Sequence, residues 1–108
     1  MTEKFVDENK VILGGRLTRD ATLKYTISKT PILRFTLAVN SYIKDKKETL
    51  YIQIVAFGDL ALEVSSLIKQ GTPVRVEGRL VNREVKLSEE EKYKTVEVIA
   101  NKIEVFQK

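Results

Sequence analysis

The chain has 108 residues, 43% hydrophobic and 31% charged, which suits one folded domain and argues against wholesale disorder. It contains no Cys and no His, so thiolate and imidazole catalysis, zinc fingers, haem and iron–sulfur ligation are all excluded and no cofactor is expected. The net charge of +4 is mild, yet Lys10 to Lys47 holds nine Lys/Arg against Asp20 and Asp45, a local excess of +7 that singles out the amino-terminal half.

Lys10-Val11-Ile12-Leu13-Gly14-Gly15-Arg16-Leu17 is a β-rich run, and its paired glycines predict a bulge or sharp bend in a first strand. Ile32 to Val39 alternates, with Leu33, Phe35, Leu37 and Val39 on one side and Ile32, Arg34, Thr36 and Ala38 on the other, as a half-buried strand does. Asn40–Thr49 is polar and too long for a two-residue turn, so a flexible hairpin loop is expected. Leu50 to Phe57 alternates again and puts two aromatics, Tyr51 and Phe57, on its more polar face with Gln53 and Val55.

The period then changes. Leu60, Val64, Leu67 and Ile68 follow helical spacing, with Asp59 placed to cap the start and Gly71 to end the helix. After Pro73 a fourth strand sets Val74, Val76, Gly78 and Leu80 against Arg75, Glu77, Arg79, Val81 and Arg83. Lys86–Lys92 reads as a second flexible loop, and Lys94 to Phe106, dense in β-branched residues, as the last strand. The order β-β-β-α-β-β over residues 1–108 is the plan of an all-β OB-fold, a five-stranded Greek-key barrel with one helix between strands 3 and 4. Other small β-barrels share this pattern.

Several words of the sequence carry more. Asn9 to Leu17 followed by Asp20, then Leu23-Lys24-Tyr25-Thr26, then Arg34-Phe35-Thr36-Leu37-Ala38-Val39-Asn40 resemble the first half of bacterial single-stranded DNA-binding proteins. Ile54-Val55-Ala56-Phe57-Gly58-Asp59-Leu60-Ala61, Lys69-Gln70-Gly71 and Val74-Arg75-Val76-Glu77-Gly78-Arg79-Leu80 resemble the second half, in order. The resemblance runs from about Asn9 to Phe106 and implies an OB-fold, sequence-tolerant binding of single-stranded DNA in replication, recombination and repair, no catalysis, and a homo-oligomer, usually a tetramer, with a dimer as the smaller option.

A binder of any sequence needs faces on which every base stacks and cations that follow the phosphates. Tyr51 and Phe57 match positions where the family places stacking aromatics, and Tyr42 lies beside a third such position, occupied here by Ile43. Otherwise Phe57 is a core residue and Tyr51 an ordinary strand aromatic. Arg34, Lys44, Lys46, Lys47, Arg79 and Arg83 are the candidates for phosphate contact, against the alternative that each is a solvated surface cation. Tyr25 and Tyr93 fit packing under loops or subunit contacts as well as bases, Arg75 fits neutralisation at a subunit contact, and Lys69 fits the helix end.

Two departures from the family pattern stand out. There is no Trp; Ile43 and Val85 stand where family members carry tryptophan, so weaker stacking is expected, and Glu89-Glu90-Glu91 adds an acidic triplet. The sequence also stops at Phe106-Gln107-Lys108 without the family's acidic tip, so tail-mediated recruitment of replication proteins is not expected. A second reading is an adaptor similar to the primosomal replication protein, acting mainly through protein contacts. No apolar run approaches the roughly 20 residues of a bilayer span and no secretory signal opens the chain, so a cytoplasmic, nucleoid-associated protein without a membrane partner is expected.

Overall fold

The computed structural model describes residues 3–107. The elements are β1 (Val11–Leu17), β2 (Thr22–Tyr25), β3 (Pro31–Ile43), β4 (Lys46–Phe57), α1 (Gly58–Ser65), β5 (Pro73–Lys86) and β6 (Lys92–Val105). Every alternating run forms a strand, and the strand order β1-β5-β6-β4-β3-β2 is closed by an additional β1–β3 pairing, so five strands make the barrel and β2 lies outside on the β3 edge. This is an OB-fold. The one parallel contact among the described residues, β4 with β6, joins the two halves through Gln53↔Glu97, Ile54↔Val98 and Val55↔Ile99.

One expectation needs correction. The helix lies between the fourth and fifth strands, not between the third and fourth, because Thr22–Tyr25 forms a short strand of its own against Pro31–Arg34. Thr22-Leu23-Lys24-Tyr25 alternates polar and apolar over only four residues and is largely exposed, so short a run that the sequence reading passes over it as a strand. The helix is also shorter than its periodicity suggests. The chain enters it through Gly58 at φ 65°, Phe57 is the N-cap residue, and Asp59 sits in the first turn without capping. It ends at Ser65, whose hydroxyl donates back to the Leu62 carbonyl at 3.2 Å, a local bond that competes with helix continuation. Gly71 and Lys69 therefore lie beyond the helix, in the turn leading to β5.

Of the two connections expected to be hairpin loops, Asn40–Thr49 is largely strand, whereas Lys86–Lys92 keeps a loop at its tip. Asn40–Thr49 is paired through to Ile43↔Lys46, and the hairpin closes on Lys44-Asp45, both at positive φ (49° and 68°), the arrangement of a two-residue type I′ turn. Lys86 pairs with Lys92, leaving a five-residue tip in which Leu87 and Ser88 donate to the Glu91 carbonyl and the Ser88 hydroxyl accepts from Glu90 and Glu91. Both hairpins thus extend past the barrel as two-stranded arms.

The core is the inward set of each alternation: Leu33, Phe35 and Leu37 of β3, Ile52, Ile54 and Ala56 of β4, Val74 and Val76 of β5, and Val98 and Ala100 of β6, with Ala61 and Val64 of α1. The paired glycines of β1 mark no bulge, since pairing with β5 is continuous from Val11↔Gly78 to Arg16↔Pro73. Gly15 instead stands where β1 meets β3 as well, and a Cβ there would lie 2.2 Å from the Ala38 carbonyl oxygen. The register shift falls at Glu77/Gly78, where β5 crosses β6 and a Gly78 Cβ would lie 2.2 Å from the Ile99 oxygen. Close backbone approach, rather than turn-making, is what these two glycines allow.

Candidate nucleic-acid interface

Residues directly opposite one another in a ladder share a face of the sheet. On the outer face of the barrel, the β3–β4 ladder therefore lines up Tyr42 with Lys47, Ala38 with Tyr51, Thr36 with Gln53, Arg34 with Val55 and Ile32 with Phe57. The parallel contact carries the same face onto Glu97 and Ile99 of β6, and the β5–β6 ladder extends it to Arg79, Val81, Arg83, Val85 and Tyr93. Of the residues singled out in the sequence, Tyr51, Phe57, Tyr42, Arg34, Lys47, Arg79 and Arg83 come together on this surface. Lys46 pairs with Ile43 and so lies on the opposite face of the arm, and Lys44 is in the turn.

Tyr51 is 67% exposed and Phe57 43%, so neither is a core residue. Six positions apart on one strand, they stand ~20 Å from each other. Between them a band of charge crosses the sheet. Arg34 of β3 reaches Glu97 of β6 at 3.3 Å, and because β4 lies between those strands the ion pair spans it, over Val55, which is fully buried. Arg83 of β5 reaches the same oxygen, Glu97 Oε2, from the other side at 3.6 Å. Glu97 is the one charged residue with under a tenth of its surface exposed among those described, at 8%; one carboxylate for two guanidiniums leaves the band with a charge of +1.

The band has a hollow on each side. One, of about 260 Å³, is lined by Tyr51, Gln53, Thr36, Tyr93, Thr95, Arg83 and Glu97. The other, of about 380 Å³, is lined by Thr22, Lys24, Tyr25, Ile32, Arg34 and Arg83. Arg83 belongs to both, so the two form one track with rings and cations along it. Sequence reasoning assigns Tyr25 and Tyr93 no definite role and offers neither Lys24 nor Glu97 as a contact. A signal for Glu97 is present, since it interrupts the run Val96-Glu97-Val98-Ile99 with a charge at a position that alternation places beside Thr95 and Ile99.

Arg75 pairs within the chain with Glu77 at 3.4 Å and Glu104 at 3.2 Å. The acidic triplet Glu89-Glu90-Glu91 is held at the tip of the β5–β6 arm. No helix among the described residues is long and apolar enough to cross a membrane.

Residues 8–106 match the Single-strand binding protein family, nearly the whole chain. The chain belongs to that family. Similar relatives include the single-stranded DNA-binding proteins of Thermotoga maritima, 39% identical over 86% of this chain and 70% of the relative, and of Streptococcus mutans, 33% identical over 92% and 62% respectively. Single-stranded DNA-binding protein 1 of Staphylococcus aureus is 35% identical over 92% of this chain and 65% of its own length. The chain thus spans a little under two thirds of the Streptococcus and Staphylococcus relatives. Neither this family match nor these relatives support the adaptor reading.

Proposed function

We propose that this chain is a non-catalytic binder of single-stranded DNA, largely indifferent to base sequence, that protects unpaired strands during replication, recombination and repair. Bases stack on Tyr51 and Phe57, with Tyr42 on the arm as a further ring, while Arg34, Arg83, Arg79 and Lys47 meet phosphates, with Lys44 at the turn of the arm; Lys46, on the arm's other face, is not part of this track. The observation that carries this reading is the placement of two exposed rings of one strand on either side of the Arg34–Glu97–Arg83 band. Stacking contributes roughly 1–3 kcal/mol per base and does not discriminate among bases, since each has a π-face. Guanidiniums fixed by a common carboxylate lose little freedom when they accept a phosphate.

The protein acts in the cytoplasm, on DNA, as a homo-oligomer, a tetramer before a dimer. In support, the faces of the two arms that continue the core side beyond the barrel leave Ile43, Leu50, Leu80 and Val96 exposed, an apolar surface suited to a second copy. Titration of oligo(dT) followed by tyrosine fluorescence at two salt concentrations tests the binding. The expected result is quenching with a log–log salt slope of about −0.7 for each phosphate contact. Absence of both quenching and salt dependence refutes it.

A further inference from the structure

We infer that Glu97 is a built-in counter-anion of the track: it stands in for a DNA phosphate at the two central arginines and so limits how many phosphates this face neutralises. The inference rests on the reading of this face as a single-stranded DNA surface and adds to it what sets its dependence on salt. Arg83 lines both hollows of the track and Arg34 one of them, and the two guanidiniums meet a single atom, Glu97 Oε2, at 3.6 and 3.3 Å. A carboxylate oxygen offers a guanidinium the same kind of anionic acceptor that a phosphate oxygen does. Glu97 is 8% exposed while the arginine side chains are 43% and 36% exposed, so the anion is covered and the cations still reach solvent.

The neutralisation is confined to the centre of the track. Arg79, Lys47 and Lys24, further cations of this surface, form no ion pair among the described residues. Counterions leave a strand in proportion to the phosphates that the protein neutralises. Two unpaired guanidiniums would bring a charge of +2 to the middle of the track, and with Glu97 between them they bring +1. The carboxylate that orders the arginines therefore also halves their charge. A strand that drew both arginines off it would leave a buried anion without a partner, which is strongly unfavourable. Arg34 and Arg83 are thus shared between Glu97 and the strand.

The test titrates oligo(dT) over a range of salt concentrations into the wild type and two variants that each remove one negative charge. Glu97→Gln keeps the side-chain shape and an acceptor oxygen for the arginines. Glu104→Gln removes a carboxylate that pairs with Arg75 and Lys102, about 23 Å further along β6 and well beyond the screening length of about 8–10 Å. Glu97→Gln is expected to steepen the log–log salt slope by about 0.7, one further phosphate, and Glu104→Gln to leave it unchanged. A purely structural role has the opposite sign, since arginines that lose their place neutralise fewer phosphates and flatten the slope. A slope no steeper in Glu97→Gln overturns the inference while leaving the binding function standing, and so does an equal steepening in Glu104→Gln, which would trace the effect to net charge. Failure of the wild type to bind oligo(dT) refutes the function itself. If Glu97→Gln does not fold, the carboxyl-carbon NMR signal of Glu97 in the wild type decides: it moves on addition of oligo(dT) as the guanidiniums are shared with phosphate, and a signal that stays in place overturns the inference.

Discussion

Glu97 is buried between two arginines that come from strands on opposite sides of it, and this makes the energetics of the band non-additive. Arg34 and Arg83 have 36% and 43% of their side chains exposed, so each ion pair alone is screened and contributes at most about 1 kcal/mol to stability. Arg34→Ala leaves Glu97 paired with Arg83, and Arg83→Ala leaves it paired with Arg34, so each single replacement is mild. The double replacement leaves the carboxylate with neither partner at 8% exposure, the situation that costs about 3–5 kcal/mol when a buried pair is broken. The double-mutant cycle is therefore expected to show a coupling of roughly 1–3 kcal/mol. Urea unfolding of the wild type, the two singles and the double measures it, with thermal midpoints falling by no less than about 12 °C in the double for a domain of this size. Single costs that simply add would show that Glu97 is hydrated rather than held by the two guanidiniums, and the band as described would be wrong.

Other consequences follow from single positions. Tyr51→Ala and Phe57→Ala should each weaken binding to oligo(dT) by about 1–3 kcal/mol without altering the salt slope, because rings release no counterions; a changed slope at constant affinity would contradict their stacking role. Gly15→Ala forces a Cβ to within 2.2 Å of the Ala38 oxygen, backbone against backbone, and should destabilise by about 3 kcal/mol or more. Gly58→Ala, at φ 65° with open space around it, should cost only about 1–2 kcal/mol, so equal urea midpoints for the two variants would refute the close-approach account of Gly15. Asp45→Gly removes a non-glycine residue at φ 68° from the β3–β4 turn and should stabilise the chain by roughly 1 kcal/mol, read as a raised thermal midpoint.

Much of the candidate binding face is legible in the sequence alone. Tyr51 and Phe57 lie six apart, and an even spacing on one strand puts both on the same side whatever the partner strands do. The same parity groups Arg79 with Arg83, and separates Arg34 from the core residues Leu33 and Phe35. What parity does not supply is where a strand stops. Polar residues at Asn40–Thr49 read as a loop because neither face is covered there, yet main-chain hydrogen bonds to a neighbour of like length keep both chains extended. The short β2 escapes the pattern for a related reason: its pairing with β3 holds it, and its side chains bury little.

Local chain geometry thus settles which side chains face inward, because the two-residue period of a strand is a property of the backbone itself. Only the folded barrel decides who meets whom across strands. Arg34 and Glu97 are 63 residues apart and touch because a parallel contact of three residue pairs brings β6 beside β4. Nothing in either segment encodes that register, which arises when the inward faces of all five strands close around one core. The glycines make the same distinction, since Gly15 and Gly78 are readable as glycines from the sequence, but their purpose depends on which carbonyl another strand carries past them.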